Sequence, residues 1–307
     1  MAVTMQEVAE KAGVSRSAVS FVFNKKYSKR VNEEAVSAIL KTAKELNYYP
    51  HAAGRSLVTN KSYTIGAALY SFDYIKLGYF ATIIAGMEQV LGRHDYNLQF
   101  CITDKEPLKE RRNLYFMRKV KSCCVDGLII IDQASEDKDI LELKKMDVPF
   151  VLIDRDIPGE DVNCVLVDNN AGMFEATEHL IKSGHKRIAL VLETLGFYKD
   201  REMLKGYKSA LHKFGLDYDK DLLRETLNVI EIGKTIDGLL GLSSPPTGLL
   251  FASDKLAVHS YKAIKNRGLR IPEDIAIIGF DDEDFNTVVE PPLSSVRVPL
   301  SKLGEMA

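Results

Sequence analysis

The chain has 307 residues, of which 46% are hydrophobic and 27% charged, as is typical of a globular protein large enough for two or three domains. No apolar run approaches the roughly 18 residues of a membrane-spanning helix. The first ten residues also lack the basic-then-apolar layout of a signal peptide. We therefore expect a cytoplasmic protein without a membrane partner. Its charge is uneven, since residues 1–61 carry a net +5 and the remainder −7, which favours a basic N-terminal segment that meets a polyanion.

The N-terminal stretch VTMQEVAEKAGVSRSAVSFVFN predicts two short helices joined by a tight turn. Thr4 and Glu7 fit a T-x-x-E capping box, which satisfies backbone donors where a helix begins. Gly13 is placed to end the first helix, and Ser15 to cap the second. Two short helices with this spacing are typical of a helix-turn-helix.

A third helix is predicted to begin at Asn32, which leaves open a three-helix bundle without a nucleic-acid role. Three features favour DNA binding. Arg16 and Ser17 lie at the start of the second helix, where base edges are met. The basic residues of the loop at 25–30 suit phosphate contacts. The basic excess is also confined to this part of the chain.

From residue 63 onward, short apolar strands alternate with helices, which predicts an α/β fold with doubly wound parallel sheets. The pattern restarts after PGED at 158–161, so we expect two similar lobes. The predicted strands are 64–71, 97–101, 127–131, 150–153, 164–167, 188–192, 247–251 and 275–280, and the predicted helices are 79–93, 108–122, 137–146, 171–183, 200–214 and 255–267. A cleft between two such lobes is a natural site for a small molecule.

Motifs for catalysis, metals and cofactors are missing from the sequence. The four cysteines and six histidines show no CxxC, HxxxH or HExxH spacing, so we expect no metal site. There is no G-x-G-x-x-G after a strand and no Walker A motif, so we expect no nucleotide cofactor. Without a G-x-S-x-G motif or a defensible Ser/His/Asp order, we predict no catalytic residues and no enzyme.

Nine segments, in order along the chain, resemble the lac-repressor-type (LacI/GalR) family of transcriptional regulators. They are VTMQEVAEKAGVSRSAVSFVFN (3–24), RVNEEAVSAILKTAKELNYYPHAAGRSL (30–57), KSYTIG (61–66), VDGLII (125–130), VPFVLIDR (148–155), VDNNAG (167–172), LIKSGHKRIALV (180–191), GLRIPEDIAIIGFDD (268–282) and PPLSSV (291–296). Family members usually continue for some tens of residues beyond the position of Ala307, so we expect the chain to be truncated.

The resemblance implies a domain organisation. It comprises a helix-turn-helix DNA-binding domain at 1–49, a hinge helix and linker at 50–62, and an effector-binding and dimerisation domain at 63–307, with lobe 1 at about 63–158 plus about 290–307 and lobe 2 at about 159–289. The hinge would order when a dimer sits on a palindromic operator, and Leu57 would wedge into a base step from the minor groove. His51 and Gly54 depart from the family pattern and should make this hinge harder to order.

The resemblance also implies DNA-contacting positions. They are Thr4, Ser15, Arg16, Ser17, Ser20, Phe21, Asn24, Lys29, Arg55 and Leu57. Phe21 stands where many members carry a polar or basic residue that reads bases. It could touch thymine methyl groups or pack inward, which leaves the operator sequence open.

Effector-contacting positions follow from the same resemblance, to proteins whose lobes are like those of periplasmic sugar-binding proteins. They are Tyr79, Phe80, Asp154, Arg155, Arg201, Ser253 and Asp281. Two departures affect this site. Met203 stands where many members have arginine, with Arg201 a poor substitute two residues earlier, and Ser253 stands where asparagine is usual. Either the effector differs from a common sugar or the cleft has lost its ligand.

The function that the sequence favours is a dimeric, sequence-specific DNA-binding regulator, most simply a repressor, controlled by a small effector such as a sugar. A solute-binding protein is one alternative, which the basic N-terminal segment disfavours. An α/β enzyme of sugar metabolism is another, for which no catalytic constellation can be named.

Overall fold

The computed structural model describes residues 3–23, 31–49, 56, 59, 61–69, 78–102, 120, 122, 124–131, 137–226 and 229–307. The chain divides into two compact units, Met1–Tyr63 and Thr64–Ala307, called here the head and the body. Most of the predicted helix at 108–122 and most of the predicted hinge at 50–62 lie outside the described residues.

The head contains three helices: α1 (Met5–Ala12), α2 (Arg16–Phe23) and α3 (Glu33–Glu45). Both halves of the predicted capping box form, because the Thr4 hydroxyl accepts from the Glu7 amide and the Glu7 side chain accepts from the Thr4 amide. Gly13 follows α1 with φ 69°, a left-handed conformation that glycine adopts without a steric penalty. The Ser15 hydroxyl accepts from the Ala18 amide at 3.1 Å. The predicted helix-turn-helix is therefore confirmed in its local chemistry.

A small apolar core holds these helices together. Its buried members are Val8, Ala9, Val19, Ile39, Ala43 and Tyr48. Val8, Val19 and Ile39 come from three different helices, and each is 0% exposed. Their burial fixes α2 against α1 and α3, and so orients the opposite face of α2 toward solvent.

The first lobe of the body is a five-stranded parallel sheet in the order β2-β1-β3-β4-β5. Its strands are β1 (Thr64–Leu69), β2 (Asn97–Ile102), β3 (Gly127–Ile131), β4 (Phe150–Ile153) and β5 (Cys164–Val165), and its described helices include α4 (Gly78–Arg93) and α5 (Asp137–Lys145). β3 is buried along its whole length, as a central strand covered on both faces should be.

The second lobe is also a five-stranded parallel sheet, in the order β10-β9-β8-β6-β7. The strands are β6 (Ile188–Leu192), β7 (Leu223–Glu225), β8 (Gly248–Phe251), β9 (Ala276–Asp281) and β10 (Ser294–Arg297). The helices are α6 (Asn169–Lys182), α7 (Tyr198–Lys213), α8 (Ile232–Leu240) and α9 (Asp254–Asn266), followed by α10 (Leu300–Met306) at the end of the chain. The predicted fold class, two doubly wound parallel sheets, is confirmed.

Two strands correct the predicted lobe boundaries. β5 pairs with β4 in the first sheet, although residues 159–289 were assigned to the second lobe. β10 pairs with β9 in the second sheet, although residues from about 290 were assigned to the first. The PGED turn at 158–161, with Gly159 at φ 83°, leads into β5 and does not mark the crossing between lobes. A turn within a lobe and a crossing between lobes give the same sequence signal.

Helices α6 and α7 pack closely because Gly206 brings their backbones together. A Cβ atom at this position would overlap the backbone carbonyl oxygen of Asn170, so a larger residue requires the helices to separate. The same device operates between α10 and α4, where a Cβ at Gly304 would overlap the Ile83 carbonyl oxygen.

Gly206→Ala is therefore expected to lower the free energy of unfolding of the body by about 1–3 kcal/mol, the usual cost of overpacking. Gly238→Ala is the matched control, since a Cβ there meets nothing within 4 Å and the site is an exposed position of α8. The control should be neutral or stabilise by up to about 1 kcal/mol. Denaturant unfolding of both variants checks this, and equal effects would refute the close-packing argument.

No helix in the described parts of the chain is long and apolar enough to cross a membrane.

Candidate nucleic-acid interface and effector cleft

In the head, α2 presents its first turn to solvent. Arg16 and Ser17 are exposed there, while Ser20 and Phe21 are partly buried one turn later. The hydroxyls of Thr4 and Ser15 are engaged in helix capping. The exposed N-terminal turn of α2, capped and braced by α1 and α3, is the geometry with which a recognition helix reaches base edges.

The remaining predicted DNA contacts, Asn24, Lys29, Arg55 and Leu57, lie outside the described residues, as does the basic loop at 25–30.

In the body, two carboxyl groups stand at strand ends from different lobes. Asp154 follows β4 of the first lobe and Asp281 ends β9 of the second, and they are only 4% and 6% exposed. Both adopt positive φ, 51° for Asp154 and 108° for Asp281. Non-glycine residues seldom adopt such angles, and functional sites are where they concentrate.

Asp154 is held by neighbours on two elements. The Asn169 amide donates to it at 2.9 Å and the Tyr79 hydroxyl at 3.3 Å. Burial raises the pKa of Asp154, and the charge of Lys199 and these hydrogen bonds oppose that shift. The carboxyl group of Asp154 is thus a positioned hydrogen-bond acceptor on a structured wall.

The pKa of Asp281 is shifted further than that of Asp154. Burial raises its pKa well above the ordinary value, the charge of Lys199 opposes this, and the nearby charges of Asp254, Glu193 and Glu283 add to it. A carboxyl group in this setting gains stability from any ligand hydroxyl that donates to it.

The loop after β9 is fixed by Asp254, which is 0% exposed. Asp254 accepts hydrogen bonds from the Ser295 hydroxyl at 2.5 Å, the Asn286 amide at 2.7 Å and the Glu283 backbone amide at 2.8 Å. Because these donors lie on β10 and on the segment after β9, the network holds Asp281 in place.

Glu283 joins the lobes directly. Burial and the charge of Asp254 raise its pKa, while the backbone amides of Gly78 and Tyr79 donate to it and lower the pKa. The carboxylate from the second lobe therefore caps the start of α4 in the first, where the helix dipole favours negative charge.

Four of the predicted effector contacts have other partners. The Arg155 guanidinium pairs with Asp137, at the start of α5. Arg201 donates to the carbonyl oxygens of Leu195 and Gly196, and so braces the loop before α7. The Ser253 hydroxyl accepts from the Leu256 amide as the N-cap of α9. Phe80 is buried in the core, 6% exposed, with its ring edge-on to Tyr79.

Met203 is 1% exposed and belongs to the apolar core. The residue that brings positive charge to this region is instead Lys199, on the same helix and four residues earlier, which the sequence analysis missed. The i, i+4 spacing places both side chains on one face of α7, but the sequence does not show which groups of the two lobes surround Lys199. Asn169 was likewise missed, since nothing in the sequence relates it to Asp154.

A cavity of about 650 Å³ opens beside this region, which is within the range of small-molecule sites. Its wall includes Thr82 of α4, Asp281, Arg297 and Leu300. Of the predicted effector contacts, Asp281 lines this cavity. Among the described residues, no cluster of three or more His, Cys, Asp or Glu side chains is arranged to hold a metal ion.

Comparison with known proteins finds one family model that matches the head and another that matches part of the body. The model of the family described as bacterial regulatory proteins, lacI family, matches residues 4–51. That of the periplasmic binding protein-like domain matches residues 177–307.

One relative is the probable HTH-type transcriptional repressor ExuR of Bacillus subtilis (strain 168), which is 32% identical over 305 residues, spanning 98% of this chain and 88% of the relative. The solved complex of the transcriptional regulator CelR with cellobiose is 27% identical with a TM-score of 0.73, over 99% of this chain and 90% of that one. The lac repressor dimer bound to operator and the anti-inducer ONPF has a TM-score of 0.85 at 24% identity, over 100% and 90% of the two chains, which shows a shared fold.

Proposed function

Because the chain belongs to the lacI family of bacterial regulatory proteins and is a DNA-binding transcriptional regulator, we propose that it represses transcription from a palindromic operator. In this proposal it binds the operator as a homodimer, and a small polyhydroxylated effector between its lobes controls the binding. The relatives are named as transcriptional regulators, so the chain is a regulator and not an enzyme. We also propose a cytoplasmic location, because operator binding requires access to the DNA.

The observation that carries the DNA-binding part is the exposed first turn of α2, with Arg16 and Ser17 on a helix fixed by Val19 and by capped neighbours. A two-fold symmetric site follows from this, because one recognition helix contacts only a few base pairs and a dimer doubles the readout. The solved lac repressor complex, a dimer on operator, supports the same arrangement.

The effector part is supported by Asp154 and Asp281, which place buried carboxyl groups from both lobes at strand ends. Since a ligand that contacts both must favour one lobe arrangement, its binding can shift the body between conformations. The cellobiose complex of CelR supports a sugar as the effector class.

The test is a gel-shift competition with a duplex enriched from a random pool by the full chain. At about 150 mM salt, a random competitor duplex should be bound at least about 10³-fold more weakly than the enriched duplex. Equal affinity for the two duplexes would reject the proposal and favour a solute-binding protein without a DNA role.

A further inference from the structure

Lys199 is a largely buried cation on α7, with a side chain only 13% exposed. Its Nζ lies 3.7 Å from Glu193 Oε1 of the second lobe and 5.9 Å from the centroid of the Tyr79 ring of the first. Lys199 thus lies near groups from both lobes. Its charge also acts on the carboxyl groups of Asp154 and Asp281.

The position of Lys199 on its helix is electrostatically unfavourable. It is the second residue of α7, at the positive end of the helix dipole, where cations are disfavoured. Local rules are most often broken where function requires it. The carboxyl groups around Lys199 are what can stabilise a cation at this point.

Those carboxyl groups come from four places in the body. They are Asp154 after β4, Glu193 after β6, Asp200 on α7 and Asp281 at the end of β9. Asp200 is 0% exposed and accepts from the Thr194 amide at 2.6 Å. Burial raises the pKa of Asp200 to about 6, against the opposing charge of Lys199. The ammonium group of Lys199 therefore interacts electrostatically with several carboxyl groups.

This arrangement discriminates between ligands by charge. A ligand with its own ammonium group would compete with Lys199 for the same carboxyl groups and would be repelled by it. An anionic ligand would face Asp154 and Asp281. An uncharged polyhydroxylated ligand can donate to the carboxyl groups and accept from the ammonium.

We propose that Lys199 sets the charge of the ligand that the cleft accepts, so that an uncharged, hexose-sized polyhydroxylated ligand binds and its amino and acid counterparts do not. This assignment rests on the proposed function, because it takes the space between the lobes as the effector site.

The first test is a thermal-shift panel with the full-length chain. Glucose, galactose and mannose are each compared with their 2-amino-2-deoxy and uronic acid counterparts. One uncharged sugar, at about 100 times its dissociation constant, should raise Tm by about 5 °C or more and exceed both charged counterparts. In Lys199→Met the order of the uncharged and amino sugars should reverse.

Lys205→Met is the matched control, since Lys205 lies on the same helix, is 63% exposed and pairs with Glu202. It should keep the order of the unsubstituted chain. An unchanged order in Lys199→Met would overturn the proposal, as would a uronic acid that gives the largest shift. A panel without any shift would also overturn it, while specific gel-shift binding would leave the DNA-binding part of the proposed function standing.

A second readout needs no ligand. Because the folded pKa of Asp200 lies above its unfolded value near 3.8, this group makes the folded state less stable as pH rises from about 4 to about 6. Loss of Lys199 should raise that pKa and extend the window upward. The Tm deficit of Lys199→Met should therefore be larger at pH 7.5 than at pH 4.5, and equal deficits at both would count against the electrostatic role.

Discussion

Arg16→Ala is expected to weaken binding to the enriched operator by about 5- to 150-fold, the effect of losing one base-reading side chain worth about 1–3 kcal/mol. Arg16 is exposed in the first turn of α2, so truncation should leave the apolar core of the head intact. The loss should be selective. Binding to random duplex should fall far less, because a single charge contributes little to the counterion term.

Lys44→Ala is the control for this measurement. Lys44 is also an exposed cation of the head, but it lies in the last turn of α3 and not on α2. Fluorescence anisotropy with enriched and random duplexes compares the two variants. If both variants lost the same affinity for both duplexes, α2 would not be the recognition helix.

Asp281→Asn should leave operator binding in place but remove the effect of the ligand on it. The substitution replaces one acceptor oxygen of a buried carboxyl group by an amide donor, and ligand affinity should fall by about 5- to 150-fold, as when a buried hydrogen-bonding group loses its partner. Asparagine is the appropriate replacement because Asp281 has φ 108°, and asparagine tolerates positive φ better than alanine. Titration calorimetry with the sugar that gives the largest thermal shift measures the loss.

Asp282→Asn serves as its control. Asp282 is the next residue, also has positive φ, and its carboxylate accepts from Arg297 at 2.6 Å. Asp282 also lines the cavity, but its charge is paired with an exposed guanidinium, so Asp282→Asn should lose clearly less ligand affinity than Asp281→Asn. Comparable losses in both variants would mean that the loop conformation, and not the Asp281 carboxyl group, governs binding.

The fold could be predicted where a local sequence signal was enough to identify an element. The apolar runs at 127–131 and 188–192 are buried strands with the predicted bounds, because central parallel strands are apolar on both faces. The caps at Thr4, Ser15 and Asn32 follow from local hydrogen-bond chemistry. Both kinds of signal are contained within a few residues.

Sequence reasoning did not predict pairings that depend on distant partners. β5 is two residues long and β10 alternates weakly, so only the neighbouring strand shows which sheet each one joins. β7, β10 and α8 were not predicted at all, since the three-residue β7 and the four-residue β10 are too short for a periodicity signal.

The residues of the candidate site could likewise be predicted only in part. Asp154 and Asp281 could be placed at strand ends from the apolar pattern and the family resemblance. Arg155 and Arg201 could not be assigned, because their partners, Asp137 at the start of α5 and the carbonyl groups at 195–196, are brought near them only by the folded chain. Lys199 was missed because its neighbours come from both lobes.

The operator dissociation constant of the unsubstituted chain, measured with and without the sugar that stabilises it most, tests the central claim most directly. That claim is that a ligand in the body controls DNA binding by the head. We expect the two constants to differ by about 5-fold or more, a typical allosteric coupling, and the difference to vanish in Asp281→Asn. Equal constants with a demonstrably bound sugar would contradict the account.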